Sequence, residues 1–155
     1  MNTIAQILEY IISRALEMNR LYIPDESAGI NYSAIFCQND SEFERLNKEA
    51  AQIGGIIENT PTGPLYKFHN SFQTLAGPLW LLKIRKPDPA RSQRGDADFT
   101  LKNYNLFKEK HLPDREHFKI IDRGHFEMIE LRDQKFQVLS FFSNIPLTIQ
   151  LGIER

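Results

Sequence analysis

The sequence predicts an α+β fold: two strand–helix–three-strand modules behind an N-terminal helix. Two observations carry this. The order of elements runs through twice after residue 30, and the two helix starts fall in register. Asn39 and Phe43 lie four apart, as do Asn103 and Phe107, which places Tyr32, Ala34 and Phe36 opposite Asp96, Asp98 and Thr100. A lone four-stranded sheet leaves one face unburied, and a second copy can cover or complete it.

The 155 residues suit one domain. Its expected parts are an N-terminal helical segment at 1–30, a first module at 31–85, a loop at 86–95, a second module at 96–143 and a C-terminal tail at 144–155. The 19 Lys+Arg balance 20 Asp+Glu, with 41% hydrophobic and 25% charged residues. A near-neutral chain without a long basic run is unsuited to non-specific nucleic-acid binding. No apolar run approaches the roughly 20 residues that span a bilayer. The single cysteine, Cys37, has no partner within the chain, and the N-terminus lacks the pattern of a secretory signal. A cytoplasmic protein with neither nucleic acid nor membrane as partner is expected.

Residues 3–19 carry the clearest helical period. Ile4, Ile7, Leu8, Ile11, Ile12, Ala15 and Leu16 form one stripe, and Thr3 and Gln6 stand at capping-box spacing. The plain expectation is a helix docked on its own core; the sharper one is a helix that dimerises or holds a partner. Pro24 stops regular structure.

In the first module Tyr32 to Cys37 reads as a strand, and Cys37 as buried and inert. A helix starts at Asp40 or Ser41, with Ser41 and Glu44 at capping-box spacing and Phe43, Leu46, Ala50 and Ile53 on its apolar side. Gly54-Gly55 ends it. Extended runs follow at 56–59, 64–69 and 79–85. The loop with Pro87 and Pro89 is expected to be mobile, with Arg91 and Arg94 in solvent. In the second module Asp96 to Leu101 is a strand, Asn103 caps a short helix that Pro113 stops, and strands follow at 118–122, 125–131 and 136–142.

With these elements in place, the chain resembles the vicinal oxygen chelate, or glyoxalase-like, superfamily, closest to its YecM-like branch. The resemblance covers about residues 31–143, with local echoes at Tyr32 to Cys37, Gly55 to His69 and Leu79 to Pro89. It implies a curved mixed sheet around a central cavity. It also implies a metal held by His and Glu side chains from the first and last strands of each module, and an activity such as a metal-dependent lyase, isomerase or dioxygenase. The chain departs from that ligand set. Tyr32 and Asp96 occupy the first-strand positions, and the last strands offer Lys83 and Arg85, then Ser140. Two cations repel a metal and suit an anion, so the family's metal is not carried over.

The candidate site follows from strand alternation. Asp96, Asp98 and Thr100 share a face, and the two carboxylates could share a proton or hold a cation. Lys83 and Arg85 share a face and could hold an anion, or form cross-strand ion pairs with Asp98. His125 and Glu127 stand two apart, close enough on a strand to reach one divalent metal. Asp96, Asp98 and Glu127 are therefore the expected proton-transfer groups; Tyr32, Lys83 and Arg85 the ligand-binding groups; His125 and Glu127 the metal ligands. The bland reading of the same residues is a solvated strand face or a structural ion-pair network. The functional expectation is a polar small molecule, with or without a divalent metal, between the modules. The alternative is a non-catalytic interaction module or homodimer that uses the N-terminal helix.

Overall fold

The computed structural model describes residues 1–153. Its elements run α1 (Ile4–Tyr22), β1 (Gly29–Phe36), α2 (Asp40–Ile53), β2 (Gly54–Thr60), β3 (Gly63–Thr74), β4 (Gly77–Arg85), β5 (Gly95–Thr100), α3 (Tyr104–His111), β6 (Phe118–Asp122), β7 (Glu127–Arg132), β8 (Leu139–Asn144) and α4 (Leu147–Gln150). The strands form one eight-stranded mixed sheet in the order β2-β3-β4-β1-β5-β8-β7-β6. The two halves mirror each other. In each, the first strand pairs parallel with the last, β1 with β4 and β5 with β8. The antiparallel β1–β5 pair joins them at the centre. This is the α+β fold that the repeated order predicts.

Both module helices start as the repeat requires. Asn39 caps α2 by accepting from the Glu42 amide, and Asn103 caps α3 by accepting from the Leu106 amide. The Ser41–Glu44 box is not used; Asn39, one residue before the helix, supplies the acceptor that a first turn needs. α2 runs directly into β2 without a loop. Gly54 is extended there, and a β-carbon on it would meet the Lys67 carbonyl at 2.5 Å, so the close approach of β3 requires the glycine.

α1 has the predicted capping box between Thr3 and Gln6. Its stripe of Ile4, Ile7, Leu8, Ile11, Ile12, Ala15 and Met18 is buried in the main core with Ala97, Phe99, Leu131 and Phe142. The apolar face on which a dimer through α1 would depend is thus spent on the chain's own sheet. Arg14 adds hydrogen bonds to the carbonyls of Lys135 and Phe136. No helix among the described residues is long and apolar enough to cross a membrane.

Several strand boundaries differ from expectation. β1 starts at Gly29, β3 runs on to Thr74, and β8 starts at Leu139 because Gln134–Phe136 form a one-turn 3-10 helix capped by Asp133. The inter-module loop is also less free than its prolines suggest. Arg94, expected in solvent, donates to both carboxylate oxygens of Glu42 at 2.8 Å and to the Phe36 carbonyl.

α1, α2 and α3 cover one face of the sheet, while Leu147 and Gln150 of α4 border a cavity on the other. The other face carries a second apolar cluster of Ala34, Phe36, Met128, Leu139 and Phe141, with Tyr32, Ile121 and Phe126 against it. Glu58 and Thr60 of β2 and Ile121 of β6 come from opposite ends of the strand order yet line one cavity. The sheet therefore curls around that cavity.

Candidate functional site

Period-two alternation on β5 sends Ala97 and Phe99 to the helices and Asp96 and Asp98 to the inner face. Register then assembles the site. Ala34, at the centre of β1, is flanked by Lys83 on β4 and Asp96 on β5, so the three form one row across the sheet. Two strand spacings separate Lys83 from Asp96 by about 10 Å at their α-carbons. Tyr32 lies opposite Asp98, and Phe36 beside Arg85. The cavity over this row has a volume of about 490 Å³, within the range of small-molecule sites.

Tyr32, Lys83, Arg85, Asp96 and Asp98 all line that cavity. The aspartates are its floor, with exposures of 6% and 3%. Asp98 Oδ2 accepts from the Ser143 hydroxyl at 2.6 Å, while Oδ1 of Asp98 and Oδ1 of Asp96 have no hydrogen-bond partner among the described residues. Burial pushes both carboxyls up to about 7. For Asp96 the nearby Asp98 charge adds to burial, against the pull of Arg85 and Lys83. For Asp98 the Ser143 hydrogen bonds oppose burial. Burial, then the two aspartates, holds the Tyr32 hydroxyl well above its ordinary range, so it keeps its proton. Lys83 is lowered, chiefly by burial, and donates to the Thr62 hydroxyl at 3.0 Å. Arg85 lies over the Phe36 ring at 4.6 Å.

The anticipated ion pairs between Asp98 and Lys83 or Arg85 do not form, because β1 stands between β4 and β5. The cavity is lined by Glu58, Asp96, Asp98 and Glu130 and by Lys83, Arg85, Arg91 and Arg123. Among the described residues no carboxylate of this set lies within 4 Å of a cation of the set; Glu130 pairs outside it, with Arg132. Opposite charges held apart in one cavity are not a structural ion-pair network. A carboxyl pair titrating near neutrality can hold one proton between two sites, and such a pair can donate and accept protons.

His125 and Glu127 are not part of this cavity. β7 begins at Glu127, so His125 sits exposed in the preceding turn, with its ring edge-on to Phe126. Glu127 accepts from the Tyr104 hydroxyl at 2.9 Å and from Lys108 at 2.8 Å, both on α3. These hydrogen bonds, led by that of Lys108, hold its carboxyl below the usual range. It is therefore corrected from a proton-transfer or metal-binding group to an anchor for α3. The inward residues of β7 are Met128 and Glu130, which pair with Ser143 and Phe141 of β8. Ser140 is likewise corrected: it is fully buried outside the cavity, and the inward serine of β8 is Ser143. Among the described residues no group of three His, Cys, Asp or Glu side chains converges. In place of the resembled superfamily's ligands the cavity sets its carboxylates among as many cations, with Lys83 and Arg85 facing Asp96 and Asp98, which does not fit a resident divalent metal. Cys37, as expected, is buried, and burial pushes its thiol up to about 12.

No known family profile matches this sequence, and no curated protein does either. Among solved structures, one described as "Structural Genomics, Protein EC4020" superimposes with a TM-score of 0.65 at 15% identity, covering 94% of this chain and 90% of that one. At that identity the likeness concerns the fold alone.

Proposed function

We propose that this chain is a glyoxalase-like protein that binds a polar small molecule on the inner face of its sheet, with Asp96 and Asp98 at the centre of the site. One observation carries the reading: two carboxylates at least nine-tenths buried line one cavity, and each has an oxygen without a hydrogen-bond partner among the described residues. A buried unpaired acceptor costs a protein stability, on the order of 1–3 kcal/mol, and such groups concentrate where a ligand is received. The mirrored pairing of two strand–helix–three-strand modules supports the glyoxalase-like assignment. Proton transfer by the Asp96–Asp98 pair, assisted by the Tyr32 hydroxyl, is the chemistry these groups are suited to. The donor set favours an organic ligand over a divalent cation. A single buried cysteine fits a reducing compartment such as the cytoplasm.

Amide NMR spectra of the protein against a library of small polar molecules test the reading. Binders should shift Tyr32, Ala34, Asp96 and Asp98 in the parent and not in Asp96→Asn/Asp98→Asn. A library whose binders all map outside the inner face would remove it.

A further inference from the structure

Around Ala34 the inner face separates four of its charged groups, with Glu58, Glu130, Arg91 and Arg123 farther out on the cavity wall. Acceptors without protein partners lie on one side of Ala34, at Asp96 and Asp98, and cations on the other, at Lys83 and Arg85. Among the described residues the Lys83 ammonium contacts the Thr62 hydroxyl and the Arg85 guanidinium the Phe36 ring, neither of them a carboxylate. Ala34 is small, so the floor between the two sides is low. The third side is mainly apolar, with Met128, Leu139, Phe141, Ile121 and Phe126 around the single inward carboxylate Glu130. From this arrangement we infer that the ligand is a small amino carboxylate with an apolar side chain. Its ammonium lies at Asp96 and Asp98, its carboxylate at Lys83 and Arg85, and its side chain on the Met128–Phe141 wall. This rests on the cavity being a ligand site, and it names the class of ligand.

The charges require both ends. A plain carboxylate leaves two buried acceptors unsatisfied, and a plain amine brings no anion within direct reach of Lys83 and Arg85. A primary ammonium has three donors. Asp96 and Asp98, about 7 Å apart along one face of the strand, offer it two acceptors that no protein donor claims. Only one carboxyl need lose its proton for the ammonium, so binding near neutral pH should expel a proton.

Calorimetry with L-phenylalanine, L-leucine, phenethylamine and 3-phenylpropionate tests the assignment on the parent protein. At least one of the two amino acids should bind, with proton release visible as a heat that depends on the buffer. Phenethylamine and 3-phenylpropionate should bind at least about tenfold more weakly than phenylalanine. Asp98→Asn keeps an oxygen for Ser143; it should weaken the amino acids and phenethylamine about tenfold, leaving 3-phenylpropionate unchanged. Arg85→Gln should do the reverse. Should either variant lose its native amide spectrum, the four-compound comparison on the parent decides alone. Equal affinity for phenylalanine and either truncated analogue overturns the assignment, as does failure of both amino acids to bind at millimolar concentration. If they fail while other small molecules shift the Asp96 and Asp98 amides, the ligand class is wrong and the site stands. If no small molecule shifts them, the site falls as well.

Discussion

Ser143 and Asp98 meet across the β5–β8 pair, the serine hydroxyl donating to Oδ2 at 2.6 Å. This is the main polar support of the buried carboxyl pair, and it comes from the last strand of the module whose first strand carries the aspartates. Ser143→Ala should cost about 1–3 kcal/mol, the range for a buried acceptor left without its donor. It should also raise the Asp98 carboxyl further, since only the backbone hydrogen bond from residue 143 would still oppose burial. A carbon-detected carboxyl titration reads the shift directly. An unchanged Asp98 titration would show that the hydrogen bond is absent in solution.

The carboxyl pair sets a pH dependence of stability. Asp96 and Asp98 titrate near 7 in the folded chain and near 3.8 when unfolded. Between these values the folded state holds more protons, so stability is greatest below the lower value and falls as pH rises through the higher one. The two groups together should lower stability by a few kcal/mol from pH 4 to pH 7. Urea unfolding at pH 5 and pH 8 measures this, and Asp96→Asn/Asp98→Asn should flatten the difference. Carboxylates elsewhere, such as Glu127, titrate below their usual range and work the other way, so the comparison with the double variant is the decisive one.

Glu127 and Asp96 should separate cleanly by phenotype. Glu127→Gln loosens α3 by removing the Lys108 ion pair and weakening the Tyr104 bond, at about 0.5–1 kcal/mol for a half-exposed pair. It should leave every inner-face amide in place. Thermal melting and an amide spectrum suffice; changes at Tyr32 or Asp98 in this variant would return Glu127 to the site.

The inter-module loop should be cut by trypsin at Arg91 before Arg94. Arg91 is exposed, whereas the Arg94 guanidinium is held on Glu42. Glu42→Ala should speed cleavage at Arg94, while the backbone bonds of Arg94 to Phe36 and Gln137 keep it slower than Arg91. Cleavage at Arg94 first in the parent would mean that the pair does not persist.

Phe99→Ala should cost about 3–5 kcal/mol. The ring is fully buried behind the acid strand, packed on Phe142 at 6.0 Å between centroids. Chemical unfolding checks it, and a loss below 1 kcal/mol would place Phe99 outside the core.

Much of this architecture is legible in residue order. Strict alternation in Asp96 to Leu101 set both faces of β5, and the Asn39–Phe43 and Asn103–Phe107 spacing marked two true helix starts. β7 was not legible for a specific reason: Glu127 and Glu130 fall on opposite faces, so polarity could not choose between them. The pairing of Glu130 with Phe141 chose, and that pairing is non-local. Ser143 was missed because the strand was expected to end at Phe142; the 3-10 turn at Gln134–Phe136 moved the whole strand onward. The Arg94–Glu42 pair joins residues far apart in sequence, with no local pattern to announce it.

α1 precedes the first module in the chain but packs chiefly on β5 and β8 of the second. During synthesis the helix emerges first, while its seat is completed only when Leu139–Asn144 has left the ribosome. Until then part of its row of isoleucines stays uncovered, even after β1, α2 and β5 have formed. The nascent chain therefore offers chaperones a partly uncovered amphipathic segment, and withdraws it when β8 slides in beside β5.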